Sequence, residues 1–313
     1  MRICSLLPSA TEIVCALGLA DQLVAVTHEC DFPPEAAGKP VVTYSPIHGG
    51  NRSSGEIDSL VHQHLHEHRS LYHLDLDLLR QLEPDLILTQ ELCEVCAVSY
   101  AEVQSAVRVL DGSPRLVSLE PKRLADVLDN VRLVGDLTGA AARATELVEQ
   151  LQARIDRVSQ ITEQVDSRPR VFALEWLDPP FAAGHWVPEQ IRLAGGTSGI
   201  VAEGEPSRQV TWDEIAAFDP QVLVLMPCGF DVERTKRETH LVTDQPQLAD
   251  LAAARDRRVW MVDANSYFSR PGPRLVDGLE TLAWIVHPES FAGWMPEGAA
   301  EPLPLPSTPP VRE

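Results

Sequence analysis

The chain has 313 residues, with 46 acidic against 26 basic side chains, only three of them lysine, and a formal charge of −20. That length can bury two substantial cores, and the charge balance excludes a basic stripe tracking the phosphates of nucleic acid or an anionic membrane. No apolar run reaches the length of a membrane-spanning helix, so membrane insertion through one is excluded.

Arg2 opens a run, RICSL, that predicts a strand over residues 3–6. Pro8-Ser9-Ala10-Thr11 follows, with Ser9 placed as a helix N-cap and Glu12 three residues on in capping-box register, and the helix closes at Gly18. This start shows no signal-peptide core, so the reading expects a cytoplasmic protein whose six cysteines are thiols or ligands. A strand over 23–26 delivers Thr27-His28-Glu29-Cys30-Asp31-Phe32-Pro33 to its end. Residues 43–72 read as an insertion, a Gly/Ser-rich loop and then a helix with Ile57, Leu60, Val61, His64 and Leu65 on one side. Its His62/His66 and His64/His68 pairs have i,i+4 chelating spacing, but a solvated helix accounts for them. LEPDLIL predicts a strand over 85–89 leading to Cys93-x-x-Cys96, and 115–119 predicts another.

The middle of the chain, 139–165, places Ala140, Ala144, Leu147, Val148, Leu151, Ile155, Val158 and Ile161 at the spacing of one helical stripe, stopped by Asp166-Ser167-Arg168-Pro169. Such a helix runs about 40 Å at 1.5 Å per residue. The flanks repeat one plan. RVFALEW at Arg170 mirrors RICSL, FDPQVLVL (strand over 221–226) mirrors LEPDLIL, and Asp77 and Asp213 each stand seven positions before a proline, Pro84 and Pro220. A strand over 258–262 matches the one over 115–119. The expected fold is therefore α/β: two Rossmann-like three-layer lobes, residues 1–135 and 169–295, joined by a single backbone helix within 136–168, with the ligand cleft between lobes; one large doubly wound domain with a long surface helix is the alternative. Residues 296–313 read as a Pro-rich disordered tail.

Ligands of parallel α/β sheets sit beyond the carboxyl ends of the strands. The candidate ligand contacts in such positions are Ser9 and Glu29 in the first lobe and Trp176, Phe181, His185, Trp186, Phe230, Tyr267, Phe268 and Arg270 in the second. The aromatic groups suit a large, partly apolar ligand. His28, Cys30, Cys93 and Cys96 are the candidate metal ligands, for zinc, iron or a cluster. No Gly-rich phosphate loop, G-x-S-x-G elbow or HExxH is present, so no catalytic residues are assigned and binding is expected rather than catalysis; a metalloenzyme is the alternative.

VTHECDFPPEA, LEPDLIL, FDPQVLVL, EWLDPPFAAGHWVPEQIRLAGG and YFSRPGPRLVDGLE together resemble the helical-backbone substrate-binding proteins of ABC importers, in their cobalamin-binding branch. The resemblance runs from about Arg2 to about Ala283. It implies a corrinoid clasped between two lobes, a ligand contact at Phe181, and docking acids at Asp77 and Asp213 facing the importer's membrane subunits; for a corrinoid or similar tetrapyrrole, His28 or His185 is the candidate axial ligand. Glu29 stands where secreted cobalamin binders of the family offer an aromatic, and strand-end cysteines are foreign to a typical periplasmic carrier. The expectation is a cytoplasmic binder of a corrinoid (cobalamin-like) or a related metal chelate.

Overall fold

The computed structural model describes residues 1–45, 52–67, 71–90, 100–108, 110 and 113–305. The chain forms two α/β lobes, Met1–Pro121 with Ala125–Leu151 and Lys122–Leu124 with Gln152–Glu313.

In the first lobe the strands are β1 (Ile3–Ser5), β2 (Leu23–Ala25), β3 (Thr43–Tyr44), β4 (His73–Leu74), β5 (Leu86–Thr89) and β6 (Arg115–Ser118). Four of them make a sheet of order β2-β1-β5-β6, parallel throughout. β1 and β5 are buried along their whole length, as expected of strands covered on both faces. Cys4, Leu6, Ala25, Leu79 and Ile87 share this lobe's core, so Cys4 acts as a small apolar residue.

The second lobe holds β7 (Val171–Trp176), β8 (Phe181–Ala182), β9 (Arg208–Gln209), β10 (Val222–Leu225), β11 (Val259–Val262) and β12 (Ala300–Pro302). The sheet order is β12-β11-β10-β7-β8-β9. β7, β10 and β11 run parallel, and β8, β9 and β12 complete the sheet antiparallel. β12 corrects the expectation of a disordered tail beginning at 296. Val262 pairs with Ala300 and Trp260 with Pro302, the Leu303 amide donates to the Val259 carbonyl at 2.8 Å, and Leu303 is buried. Low hydrophobicity concealed this segment, because an edge strand is held by its partner's backbone and tolerates proline. Residues 306–313 lie outside the described residues.

One arrangement occurs in both lobes. Helix Leu76–Leu82 begins at Asp75, whose side chain accepts from the Leu78 amide, and ends at Glu83 in the left-handed region (φ 39°). Helix Trp212–Phe218 begins in a capping box between Thr211 and Glu214 and ends at Asp219 (φ 46°). The guanidinium of Arg2 donates to the Leu82 and Glu83 carbonyls at 2.8 and 3.2 Å, and that of Arg170 to the Phe218 and Asp219 carbonyls at 2.9 and 2.8 Å. The carbonyls of the same arginines accept from the first amides of the neighbouring strand, Asp85 and Leu86 in one lobe and Gln221 and Val222 in the other. Side chain and main chain of one residue thus close a helix and set a strand register.

The central helix is Ala141–Thr162, and Gly139 (φ 72°) separates it from helix Leu124–Thr138. Ala144, Val148, Leu151, Ile155 and Val158 of the expected stripe are buried, while Leu147 and Ile161 are half-buried. Within the first lobe Arg143 donates to the Gly18 carbonyl at 3.3 Å. Within the second, Arg154 holds Glu280 through two bonds, 2.9 and 2.6 Å, and Asp277 at 2.5 Å.

The inserted segment carries helix Ser54–His66 and is bracketed by the antiparallel pair β3–β4. His64 Nδ1 bonds to the Leu60 carbonyl at 2.9 Å, and His62 projects into solvent beside Asp58 at 3.6 Å; His68 lies outside the described residues. At the first helix the structure corrects the capping expectation. Helix Pro8–Ala16 has Leu7 as N-cap and Pro8 at its start, with no side-chain cap bond, and Ser9 lies inside the first turn. Proline supplies a pre-set φ and lacks the N–H that a cap would satisfy.

Leu151 is 4 % exposed, so Leu151→Ala is expected to cost about 2–5 kcal/mol of unfolding free energy by urea titration. A change below about 0.5 kcal/mol would mark the stripe as a solvated spacer.

Candidate functional site

In the first lobe the carboxyl end of β2 leads into Thr27-His28-Glu29-Cys30, and this loop is tied on two sides. His28 Nδ1 bonds to Thr43 Oγ1 on β3 at 2.9 Å, and its ring lies 5.7 Å from that of Tyr72. The Tyr72 hydroxyl donates to Glu29 Oε1 at 3.2 Å. Cys30 Sγ lies 3.1 Å from the hydroxyls of both Thr11 and Thr27, which joins the loop to the first helix. Ser9 is buried in that helix. The structure thus brings Glu29, His28 and Cys30 together at one strand end, with Cys30 in a structural hydroxyl–thiol network. Among the described residues no group of three His, Cys, Asp or Glu side chains converges as a metal site. Cys93 and Cys96 lie outside the described residues.

The second lobe presents a different surface. β7 and β8 pair Leu174 with Ala182 and Trp176 with Phe181, so Glu175 is the extra residue of a β-bulge. Trp176 and Phe181, both half-buried, are cross-strand partners at the carboxyl end of β7. Behind Trp176 the Phe230 ring lies 5.3 Å away at 59°, and the Arg234 guanidinium sits 4.3 Å above Phe230. The loop after β10 is anchored to β7 by the Cys228 amide, which donates to the Glu175 carbonyl at 2.9 Å, and to the loop after β11 by the Gly229 amide, which donates to Ser269 Oγ at 3.0 Å.

Three of the aromatic residues expected to face a ligand support the surface from within. Trp186, Phe230 and Phe268 are 8 %, 6 % and 3 % exposed, and Trp186 Nε1 donates to the Phe268 carbonyl at 2.9 Å. Arg270, also buried, donates to Asn265 Oδ1 at 2.9 Å. The alternation of apolar and polar residues around DPPFAAGHW does not distinguish a platform ring from a supporting one, because the segment turns too sharply for either periodicity to hold. Trp176, Phe181, His185 and Tyr267 keep part of their surface in solvent.

His185 has φ 52°, fixed by paired backbone bonds: its amide donates to the Glu205 carbonyl at 2.6 Å, and the Gly204 amide donates to its carbonyl at 2.9 Å. Burial, with the nearby Lys122, holds its imidazole below the usual histidine range and so keeps it neutral. Burial, with the carboxylates of Asp263 and Asp277, pushes the Tyr267 phenol up, against Arg274, whose guanidinium lies 5.9 Å from the ring centre. Sequence reasoning passed over Glu175. Enclosure drives its carboxyl above the usual range, against the opposing influence of the nearby Ser207 and Gly184, and the available signal was an acid inside the apolar run VFALEW.

Asp77 and Asp213 are exposed at the second position of the two matching helices. Asp77 pairs with Arg80 at 3.0 Å, and Asp213 accepts from Gln247 Nε2 at 2.8 Å.

Residues 3–265 match the sequence profile of a periplasmic binding protein family. The vitamin B12-binding protein of Vibrio cholerae is 24 % identical over 292 residues, 90 % of this chain and 87 % of that one. An uncharacterized ABC transporter substrate-binding lipoprotein of Bacillus subtilis, YvrC, is 24 % identical over 297 residues, 93 % of this chain and 81 % of that one. In fold, the chain resembles the periplasmic heme-binding protein RhuT of Roseiflexus, with a TM-score of 0.68, 23 % identity, and coverage of 92 % of this chain and 98 % of the other.

The division between platform and support is measurable in stability. Phe268→Ala is expected to cost about 3–5 kcal/mol in urea unfolding, as for a fully buried ring. Phe181→Ala, half-exposed, should cost less than half as much; equal losses would place both rings in the core.

Proposed function

Because this chain belongs to the periplasmic binding protein family, we propose that its cargo is a corrinoid or a related metal tetrapyrrole, stacked on Trp176 and Phe181. The observation that carries the reading is this half-exposed cross-strand pair, set at the carboxyl end of a central parallel strand and backed by Phe230 and Arg234. Flat conjugated macrocycles gain most from flat aromatic partners, and rigid backing lowers the ordering cost of binding. The names of the relatives, a vitamin B12 binder and a heme binder, support the same ligand class. His185, neutral and half-buried, offers a lone pair suited to an axial position on cobalt or iron.

Titration of the purified protein with hydroxocobalamin, cobinamide and haemin, read by tryptophan quenching and the visible spectrum, tests this. Phe181→Ala is expected to weaken binding by about 1–3 kcal/mol, roughly 5- to 150-fold, and leave the bound spectrum nearly unchanged. His185→Ala should shift the spectrum. Absence of saturable binding to all three ligands overturns the proposal, and stoichiometric zinc or iron in the purified protein without them favours a metalloprotein.

The second part of the proposal is delivery to the membrane subunits of an ABC importer, as the name of the Bacillus relative suggests. Asp77 and Asp213, exposed at equivalent helix starts, are the docking groups. Asp77→Lys with Asp213→Lys is expected to weaken capture by permease-containing vesicles most at low ionic strength, because exposed pairs are screened by salt. Capture that is independent of both charges and of salt removes this role.

A further inference from the structure

We propose that the inserted helix Ser54–His66 holds a first-row divalent transition-metal ion, copper(II), nickel(II) or zinc(II), between the imidazoles of His62 and His66. Neither residue belongs to the aromatic platform, so the site stands apart from the ligand reading above.

Spacing alone is met by any solvated helix, and the folded segment adds to it. The helical bonding runs on past the pair, since the Glu67 amide donates to the Gln63 carbonyl at 3.0 Å. Residues four apart on a helix carry Cβ atoms about 5–6 Å from each other on one face. Both rings are exposed, that of His62 with 70 % of its side chain in solvent. His64, two positions from each, is half-buried on another face, and its Nδ1 bonds to the Leu60 carbonyl at 2.9 Å. Two imidazoles thus share one open face while the histidine between them is engaged elsewhere.

Charge on that face favours a cation. Asp58 stands one turn before His62, with its Oδ2 3.6 Å from His62 Nε2. A carboxylate beside a ligating ring raises the ring's basicity and offsets part of the ion's charge. The chain as a whole is acidic, with a formal charge of −20, which raises the local concentration of cations.

The donors select the ion. Imidazole nitrogen suits copper, nickel and zinc, whereas magnesium and calcium take oxygen ligands. Among the described residues no group of three His, Cys, Asp or Glu side chains converges here. Two imidazoles make a chelate rather than a closed cage, so water completes the coordination and the ion exchanges readily.

The ion would also act on the helix. Its start is fixed by a reciprocal pair, the Ser53 amide donating to Glu56 Oε2 at 2.8 Å and the Glu56 amide to Ser53 Oγ at 3.2 Å. His62 and His66 span its last turn, the end from which a helix of 13 residues frays. An ion held by both rings ties that turn together.

Calorimetric titration of the untagged protein with nickel(II) and zinc(II) tests this, with magnesium(II) as the hard-cation control. Nickel is expected to bind and magnesium to give no heat of binding. His62→Ala and His66→Ala should each weaken nickel binding by about tenfold or more, because each removes the intramolecular second contact. Both side chains are exposed, so both variants should keep the far-ultraviolet circular dichroism spectrum of the unmodified protein. Hydrogen exchange supplies an independent readout. Nickel should raise the protection of the amides of residues 63–67 in the unmodified protein and not in His66→Ala. No binding of either ion, or nickel affinity and protection that survive both substitutions, overturns the proposal. A loss in His64→Ala as large as that in His66→Ala overturns it as well, since the ion would then sit on the other face. These titrations contain no corrinoid or haem, so their failure leaves the ligand reading untouched.

Discussion

Much of the molecule depends on how an arginine meets the end of a helix. Arg2 and Arg170 each stand just before the first parallel strand of a lobe and turn a guanidinium onto the last carbonyls of the helix that feeds the neighbouring strand. A helix C-terminus concentrates negative partial charge and leaves carbonyls without intrahelical partners, so a planar, permanently charged donor fits it well. The arginine's own carbonyl takes the next strand's first amides, which leaves the pairing of β1 with β5 and of β7 with β10 little freedom to slip. Residues at the far ends of those strands, Trp176 among them, inherit their positions from this contact. At this contact the two lobes differ only in accessory groups: Asp85 holds the Arg2 amide, whereas Gln221 holds the Arg170 amide and Asp219 adds an ion pair at 3.0 Å.

These contacts explain why so much of the fold could be read from the sequence. LEPDLIL and FDPQVLVL contain, within a few residues, a helix end, a left-handed residue, a proline and a fully apolar strand, and all of these signals are local. The central stripe is local as well, and its helix ends three residues before the expected stop. Reading failed where the deciding partner is distant. Ser9 looked like a cap because its sequence context is correct, but Pro8 had already set the first helical residue. β12 has little to bury and is specified by the backbone of β11.

The candidate site was legible in outline and not in depth. Aromatic residues cluster at the carboxyl end of the second sheet, as the strand-end rule requires, yet Trp186 and Phe268 face inward and exchange a hydrogen bond there. Nothing in their spacing announces this, because it depends on how the loops after β8 and β11 fold together. Glu175 was missed for a related reason. A bulge changes the count of residues between facing partners, and that count exists only once two strands are aligned.

β12 also governs which shortened forms of the protein can be handled. A chain stopped at residue 295, where hydropathy alone would end the second lobe, would strip the amides and carbonyls of Val259–Val262 of their neighbour. A four-residue strand of almost wholly apolar side chains would then lie open along its hydrogen-bonding side, a template on which another molecule's strand could add. In the intact chain that side is covered by three residues that are poor templates themselves. Pro302 cannot donate, and Glu301 carries a charge clasped by Lys236 at 2.9 Å. The C-terminal segment therefore protects against self-association, and fragments that omit it would be expected to aggregate.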